Sequence, residues 1–343
     1  MRTLNTIAVI LFTGALVAAE PNWMTHGRFD WSSTEPLFSP EQRPGDTLFS
    51  VKDPTVVVHG GKYHIFVTIR GEKRSHQIEY ISFTEWKELH KAQRHILTIH
   101  PGYFCAPQVF YFTPHKKWYL ICQASDPGWK NEYDAEYGAA FSTTDDISEP
   151  ESWSHLKPLE AKRVSGNAGL DFWIICDETK AHLFFTTLDG KMWREETPLN
   201  RFPEGWSEPK LAIQDDIFEA SHTYKIVGSE KYLTVVEAQG GPAWRYYKAY
   251  LADTLDGQWQ PLAATKEKNF VGKNNVKFPA GNSWADSISH VELVRTGYDE
   301  KLEIDPNDLM LLYQGVLDKD TSDKPYGQIP WRLGVLKLTK QVP

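Results

Sequence analysis

The chain has 343 residues, 41% of them apolar and 24% charged, which excludes a disordered chain and leaves room for one large domain or two ordinary ones. Asp and Glu outnumber Lys and Arg by 45 to 37, a net charge of −8, and an acidic surface argues against nucleic acid, which demands clustered Lys and Arg. Thirteen Trp, fifteen Tyr and seventeen Phe serve core packing first, but flat rings also suit the apolar faces of sugars.

From the start, MRTLNTIAVILFTGALVAAE places Arg2 before an apolar run, Ile7 to Val17, and a small-residue site at Val17-Ala18-Ala19. This pattern predicts a signal peptide over 1–19, with 20–343 as a single domain exported to the periplasm or the medium. The run is too short to span a bilayer, and no later stretch reaches the roughly 18 apolar residues a spanning helix needs. No membrane span is expected.

Beyond that segment, runs rich in Val, Ile, Tyr and Phe alternate with Gly, Pro, Asp and Asn turns, the pattern of strands. Only Thr84 to Ala92 carries a helical period. The strands recur in similar blocks. DPTVVVHGGKYHIFVTIRG is a strand, a Gly-Gly turn and a strand, and APQVFYFTPHKKWYLICQAS repeats it. DFWIICDETKAHLFFTTLDGK and EASHTYKIVGSEKYLTVVEAQ follow, and a fifth block runs from SHVELV, across an insertion, to NDLMLLYQGV. Their first strands begin near 53, 106, 171, 219 and 290, spacings that suit the blades of a propeller. The fold class read from this is all-β, a five-bladed β-propeller, with a β-sandwich as the alternative. Cys105, Cys122 and Cys176 each lie in an apolar strand-like run, so buried free thiols are expected. No C-x-x-C or H-E-x-x-H spacing points to zinc.

The heads of these first strands carry the functional signal. Three blocks open with Asp53, Asp171 and Glu219, and the fifth opens with His290. In a propeller the innermost strands line one central channel, so equivalent positions on separate blades converge. Any one such Asp read alone is a turn cap; all three in register imply an acidic centre. Clustered carboxylates push each other's protonation apart, which makes one an acid and another a base at the same pH. Glycoside hydrolysis needs that pair.

The runs KDPTVV, APQVFYF, DFWIICD, FEASHTYK and ISHVEL, with WSSTEPLFSP before them and PWRLGVLKL after, resemble glycoside hydrolase family 62 in order, from about Phe29 to Leu338. Members of that family are α-L-arabinofuranosidases acting on arabinoxylan, related to family 43. The resemblance implies a five-bladed propeller and an inverting mechanism with Asp53 as general base, Glu219 as general acid and Asp171 as the acid that adjusts its pKa. It matches His290 to a histidine beside a calcium ion, a cofactor expected on resemblance alone. Lys52, Gln123 and Tyr326 match positions bordering the sugar pocket, with Arg332 close by.

This sequence departs from the family at Asp286-Ser287-Ile288-Ser289-His290-Val291, at Gly327 in place of an Asn, and at Pro54-Thr55-Val56 after the expected base. The acids are untouched, so these changes bear on the polymer more than on the chemistry. The leading expectation is release of arabinofuranosyl side chains from arabinoxylan or a related plant polysaccharide. The alternatives are another propeller glycosidase, β-xylosidase or arabinanase-like, and a propeller that binds glycans without cutting them. Oligomeric state is not written in the sequence, and a monomer is the working expectation.

Overall fold

The strand–turn–strand blocks fold as five mainly antiparallel sheets, each of four or five strands. The computed structural model describes residues 21–129, 136–241 and 244–339; the expected signal peptide lies outside these residues. In the first sheet the chain runs through Leu48–His59, Lys62–Gly71, Gln77–Phe83 and Arg94–Ile96. Its first hairpin turns on Gly60 and Gly61, with φ of 58° and 74°, the paired left-handed conformation a two-residue loop requires. The second sheet uses Tyr103–Phe112, Lys117–Ser125, Tyr137–Thr144 and Lys157–Pro158, and the third Leu170–Cys176, Lys180–Thr186, Lys191–Pro198 and Lys210–Gln214. The fourth takes His222–Ile226, Tyr232–Gln239, Arg245–Ala252 and Gln260–Ala263.

The fifth sheet is built from both ends of the chain. Ser287–Leu293, Met310–Val316 and Arg332–Leu338 supply its three inner strands, and Trp31–Ser33 pairs antiparallel with the third of them. The result is a five-bladed β-propeller, as the repeat predicts, with the ring closed by N-terminal residues on the last blade. Trp31 anchors the closure: fully buried, it packs edge-on to Phe270 at 5.3 Å and donates from Nε1 to the Phe270 carbonyl at 2.7 Å. The stretch predicted as helical is a short 3-10 turn, Trp86–Lys91. The insertion in the fifth block also contributes structure, since Glu303–Ile304 pairs parallel with the fourth blade's innermost strand.

The blades share a backbone signature that the residue types do not advertise. Asp53, Ala106, Asp171, Ala220 and His290, one in or just ahead of each innermost strand, have φ of 48°, 53°, 54°, 52° and 38°. Non-glycine residues seldom adopt this conformation. Four of the five stand within a register shift of the ladder: between Lys52 and Thr55, Cys105 and Gln108, Leu170 and Trp173, and Ser289 and Glu292. A bulge of this kind re-aims side chains. The fourth blade corrects the sequence alignment, because its equivalent residue is Ala220 and Glu219 lies one place ahead. Asp53 and His290 are mid-strand residues, not strand heads.

Two residues further along each strand, Thr55, Gln108, Trp173, His222 and Glu292 fill the channel and are buried. Gln108 ties the second blade to the third, its amide donating to the Ile174 carbonyl and accepting from the Ile174 N–H, both at 2.7 Å. All three cysteines are buried free thiols. Burial pushes the Cys105 thiol up to about 12, so it carries no thiolate chemistry near neutral pH.

Candidate active site

The bulges aim two carboxylates, Asp53 and Asp171, at one imidazole. His290 lies with Nδ1 3.4 Å from Asp53 Oδ1 and Nε2 3.3 Å from Asp171 Oδ1. Oxygens of Glu219 and Glu237 and a ring nitrogen of His290 lie within 4.8 Å of one another. The predicted acids therefore meet, although they come from three blades. Burial opposes charge on His290, but Asp53 and then Asp171 draw its pKa up to about 10 on protein groups alone.

Each acid has a different surrounding. Burial works against ionisation of Asp53, yet Lys52 and then His290 hold its pKa below the ordinary carboxylate value. The Lys52 ammonium stands 3.6 Å from Asp53 Oδ2. Burial raises Glu219 to about 7; Arg245 opposes this, and the charges of Glu237 and Asp171 add to it. Asp171 has its other oxygen, Oδ2, fixed by the Ala220 N–H at 3.0 Å. It is thus held against both His290 and the backbone that carries Glu219.

Of the residues expected at the pocket edge, Lys52 and Tyr326 are there. Lys52 Nζ sits 5.3 Å from the Tyr326 ring centre, and that ring is 51% exposed, the open rim of the site. Gln123 is placed beneath the site instead of at its edge. It accepts from the Asp171 N–H at 3.1 Å and donates to the Tyr103 hydroxyl at 2.9 Å. Arg332 is engaged elsewhere, stacked over Trp284 with 5.4 Å to the ring centre, and no carboxylate of the centre is among its described partners. The guanidinium that does enter the site is Arg245, which the sequence did not single out. It bonds both Glu219 and Glu237 and lies 5.8 Å from the Tyr326 ring centre. The available signal was an Arg in a strand otherwise rich in Tyr and Ala, opposite a strand carrying an equally unexplained Glu237.

Gly327 has a steric reason. A Cβ there would overlap the Arg70 guanidinium, so the Asn expected by resemblance would displace it. A recess of about 510 Å³ opens between Lys73–Gln77 and Pro101–Tyr103, with His76 and Tyr103 in edge contact at 4.9 Å. The channel beneath is tight, with a volume of about 10 Å³ among Asp53, Asp171, His222 and His290.

That centre suits a cation in charge and donors. Asp53 Oδ1 and both ring nitrogens of His290 are buried with no hydrogen-bond partner among the described residues. Two carboxylates flank the ring, and calcium completes an oxygen shell with water where protein oxygens are few. Glu219 and Glu237 are less available, since both are turned onto Arg245.

The comparisons with known proteins agree on the fold and the family. The profile of glycosyl hydrolase family 62 matches residues 30–337. Alpha-L-arabinofuranosidase C of Cellvibrio japonicus (strain Ueda107) is 39% identical over 319 residues, 90% of this chain, and the chain spans about half, 47%, of that relative's length. The catalytic domain of a Coprinopsis cinerea family 62 α-L-arabinofuranosidase superposes with TM-score 0.82 at 35% identity, over 91% of this chain and 98% of that one. An α-L-arabinofuranosidase from Podospora anserina, solved in complex with cellotriose, gives 0.82 at 34% identity over 92% and 98%. Family 43 structures share the fold at lower similarity, for example TM-score 0.54 at 15% identity. With the profile spanning nearly all of the described residues, the chain belongs to glycosyl hydrolase family 62.

Proposed function

We propose that this chain is an inverting α-L-arabinofuranosidase that removes arabinofuranosyl side chains from arabinoxylan or a related polysaccharide. The observation that carries the reading is the divergence of two carboxyls in one centre. Glu219 is held up to about 7 while Asp53 is held low, so near pH 6 one is protonated and the other ionised. Glu219 gives its proton to the glycosidic oxygen, and Asp53 takes one from a water attacking the opposite face of the sugar. Asp171 orients the acid's backbone and raises its pKa by its charge. Lys52 and Arg245 hold the two acting carboxylates in place, and the Tyr326 ring borders the entry. The recess beside His76 and Tyr103 is open enough to admit the polymer that carries the branch. The named relatives support the sugar, and the cellotriose and xylotriose complexes of relatives support a β-linked chain.

Digestion of arabinoxylan, arabinan and xylo-oligosaccharides followed by NMR tests this directly. The expected first product is β-L-arabinofuranose from arabinoxylan. Release of xylose, a retained anomer, or glycan binding with no sugar released would overturn it. Glu219→Gln should lower kcat by about 10² to 10⁴ with the melting temperature preserved.

We propose further that His290, between Asp53 and Asp171, holds a calcium ion; the ring is then neutral, and the ion takes the place of the charge that an imidazolium would present to the two aspartates. When bound, that ion supplies positive charge that keeps the two aspartates ionised. EDTA should then lower the melting temperature, and calcium should restore it; an unchanged melt and unchanged activity would remove the ion from the account.

A further inference from the structure

The left-handed residues of the inner strands are held by a repeated device. Each backbone N–H points to a side chain of a neighbouring blade. Ala106 donates to Thr68 Oγ1 at 2.9 Å, Asp171 to Gln123 Oε1 at 3.1 Å, His290 to Glu237 Oε2 at 3.0 Å and Asp53 to Gln314 Oε1 at 2.6 Å. Thr68, Gln123 and Gln314 occupy matching places, opposite Lys52, Cys105 and Ser289 in their own blades. The place opposite Leu170 belongs to Thr186, whose hydroxyl has no partner among the described residues, and there Asp171 itself receives the Ala220 N–H.

One link of this device continues into a buried relay. The Asp53 N–H can only donate, so the Gln314 carbonyl must face it and the Gln314 amide nitrogen must face away. That nitrogen donates to Ser289 Oγ at 3.0 Å, and the single Ser289 hydroxyl proton goes to Glu237 Oε2 at 2.7 Å. Glu237 Oε1 accepts from Arg245 Nη1 at 2.6 Å, and the same nitrogen bonds Glu219. From the Asp53 N–H to Glu237 each donor has one acceptor and the directions leave no choice, and Arg245 Nη1 then divides its two protons between Glu237 and Glu219. Gln314, Ser289 and Glu237 are at most 1% exposed, so water does not compete with these bonds.

We propose that Gln314 and Ser289 are positioning residues which, with Glu237 and Arg245, form a hydrogen-bonded strut that sets the separation of Asp53 from Glu219. This rests on the base and acid roles given above. Inversion needs room for a water between the two carboxyls, roughly 6.5 to 9.5 Å, and small misplacement is costly to rate. Gln314 and Ser289 touch neither sugar nor water in this account; they act through the groups they hold.

Steady-state kinetics on arabinoxylan with Gln314→Met, Ser289→Ala, Ser289→Thr and the Gln314→Met/Ser289→Ala double variant test the strut. Each of the first two should lower kcat about 10- to 100-fold with KM within about twofold. The double variant should be no slower than the worse single one, because one broken strut cannot be broken again. Ser289→Thr, which keeps the hydroxyl, should recover most of the rate. A kcat within about twofold of the parent in folded variants, a loss confined to KM, or losses that multiply in the double variant would overturn the proposal. If Gln314→Met does not fold, the Ser289 pair, which differs from the parent by one oxygen or one methyl, decides alone. Full activity in Asp53→Asn or Glu219→Gln would instead sink the acid–base assignment; their loss beside an intact Ser289→Ala rate sinks only the strut.

Discussion

Arg245 shows how a residue can matter to a reaction through the charge it presents. It is shared by Glu219 and Glu237, and among the charges around Glu219 it is the main one opposing burial. As the proposed general acid, Glu219 must be protonated to work, so activity should be full below its pKa and lost as pH rises through about 7. Asp53, the proposed base, is held low by Lys52 and His290 and stays ionised across that range, which should place the acid limb of the profile below the usual carboxylate value. The kcat/KM profile of the parent should therefore fall above about pH 7. In Arg245→Met the fall should move to higher pH whatever happens to the absolute rate. A limb that stays in place would show that Arg245 does not set the acid's proton affinity. The acids and His290 were legible in the sequence because each stands near the same point of a recurring block. Arg245, Glu237 and Gln314 were not, since they lie on second and third strands, where YLTVVEAQ or MLLYQGV gives no sign of which residue looks into the channel. For Gln123, the resemblance located a residue near the site, and only its hydrogen bonds revealed that it holds the Asp171 backbone from below.

At the scale of elements, the repeat was readable and its closure was not. Four blades are written consecutively, so strand pattern and turn chemistry suffice to find them. The fifth joins Trp31–Ser33 to Arg332–Leu338, and such a pairing leaves no local trace. The one-residue offset at Glu219 has the same origin. Alignment by charge picks Glu219, whereas the backbone repeat falls on Ala220, and the left-handed φ that marks it is invisible when the residues are Asp, Ala, Asp, Ala and His. The closure has a measurable consequence. Trp31 is fully buried against Phe29 and Phe270, and truncating a buried Trp removes apolar burial and leaves a cavity. Trp31→Ala should cost about 3–5 kcal/mol in denaturant unfolding. Because Trp31 lies on an outer strand of its blade, separated by two strands from the inner one that carries His290, kcat of the folded fraction should be kept. A loss of under about 1 kcal/mol would mean that the ring is held without its N-terminal strand, as surface substitutions typically cost no more.

For the molecule as a whole, the question is what keeps five separately folded sheets at fixed angles when the active centre depends on residues from several of them. The channel filling answers it, and its far end is the most demanding part. Arg295 and Glu292 are completely buried. Arg295 Nη2 donates to the Val56 carbonyl of the first blade at 2.9 Å, the Val109 carbonyl of the second at 2.8 Å, and Glu292 of the fifth at 3.1 Å. One guanidinium thus joins three blades. Burial raises Glu292 to about 7, and Arg295 is the chief influence against that rise. Removing the cation alone leaves a carboxyl and two backbone carbonyls buried without their partner, so Arg295→Met should cost about 3–5 kcal/mol. Replacing both, as Arg295→Met with Glu292→Leu, removes the stranded charge and should recover a large part of that loss. Denaturant unfolding at constant m-value measures the pair of effects. If the double variant were as unstable as Arg295→Met, the cost would lie in the lost carbonyl contacts between blades and not in the uncompensated acid. If neither variant were destabilised, the blades would owe their arrangement to apolar packing alone, and the channel's charged end would have to be explained by something other than holding the ring together.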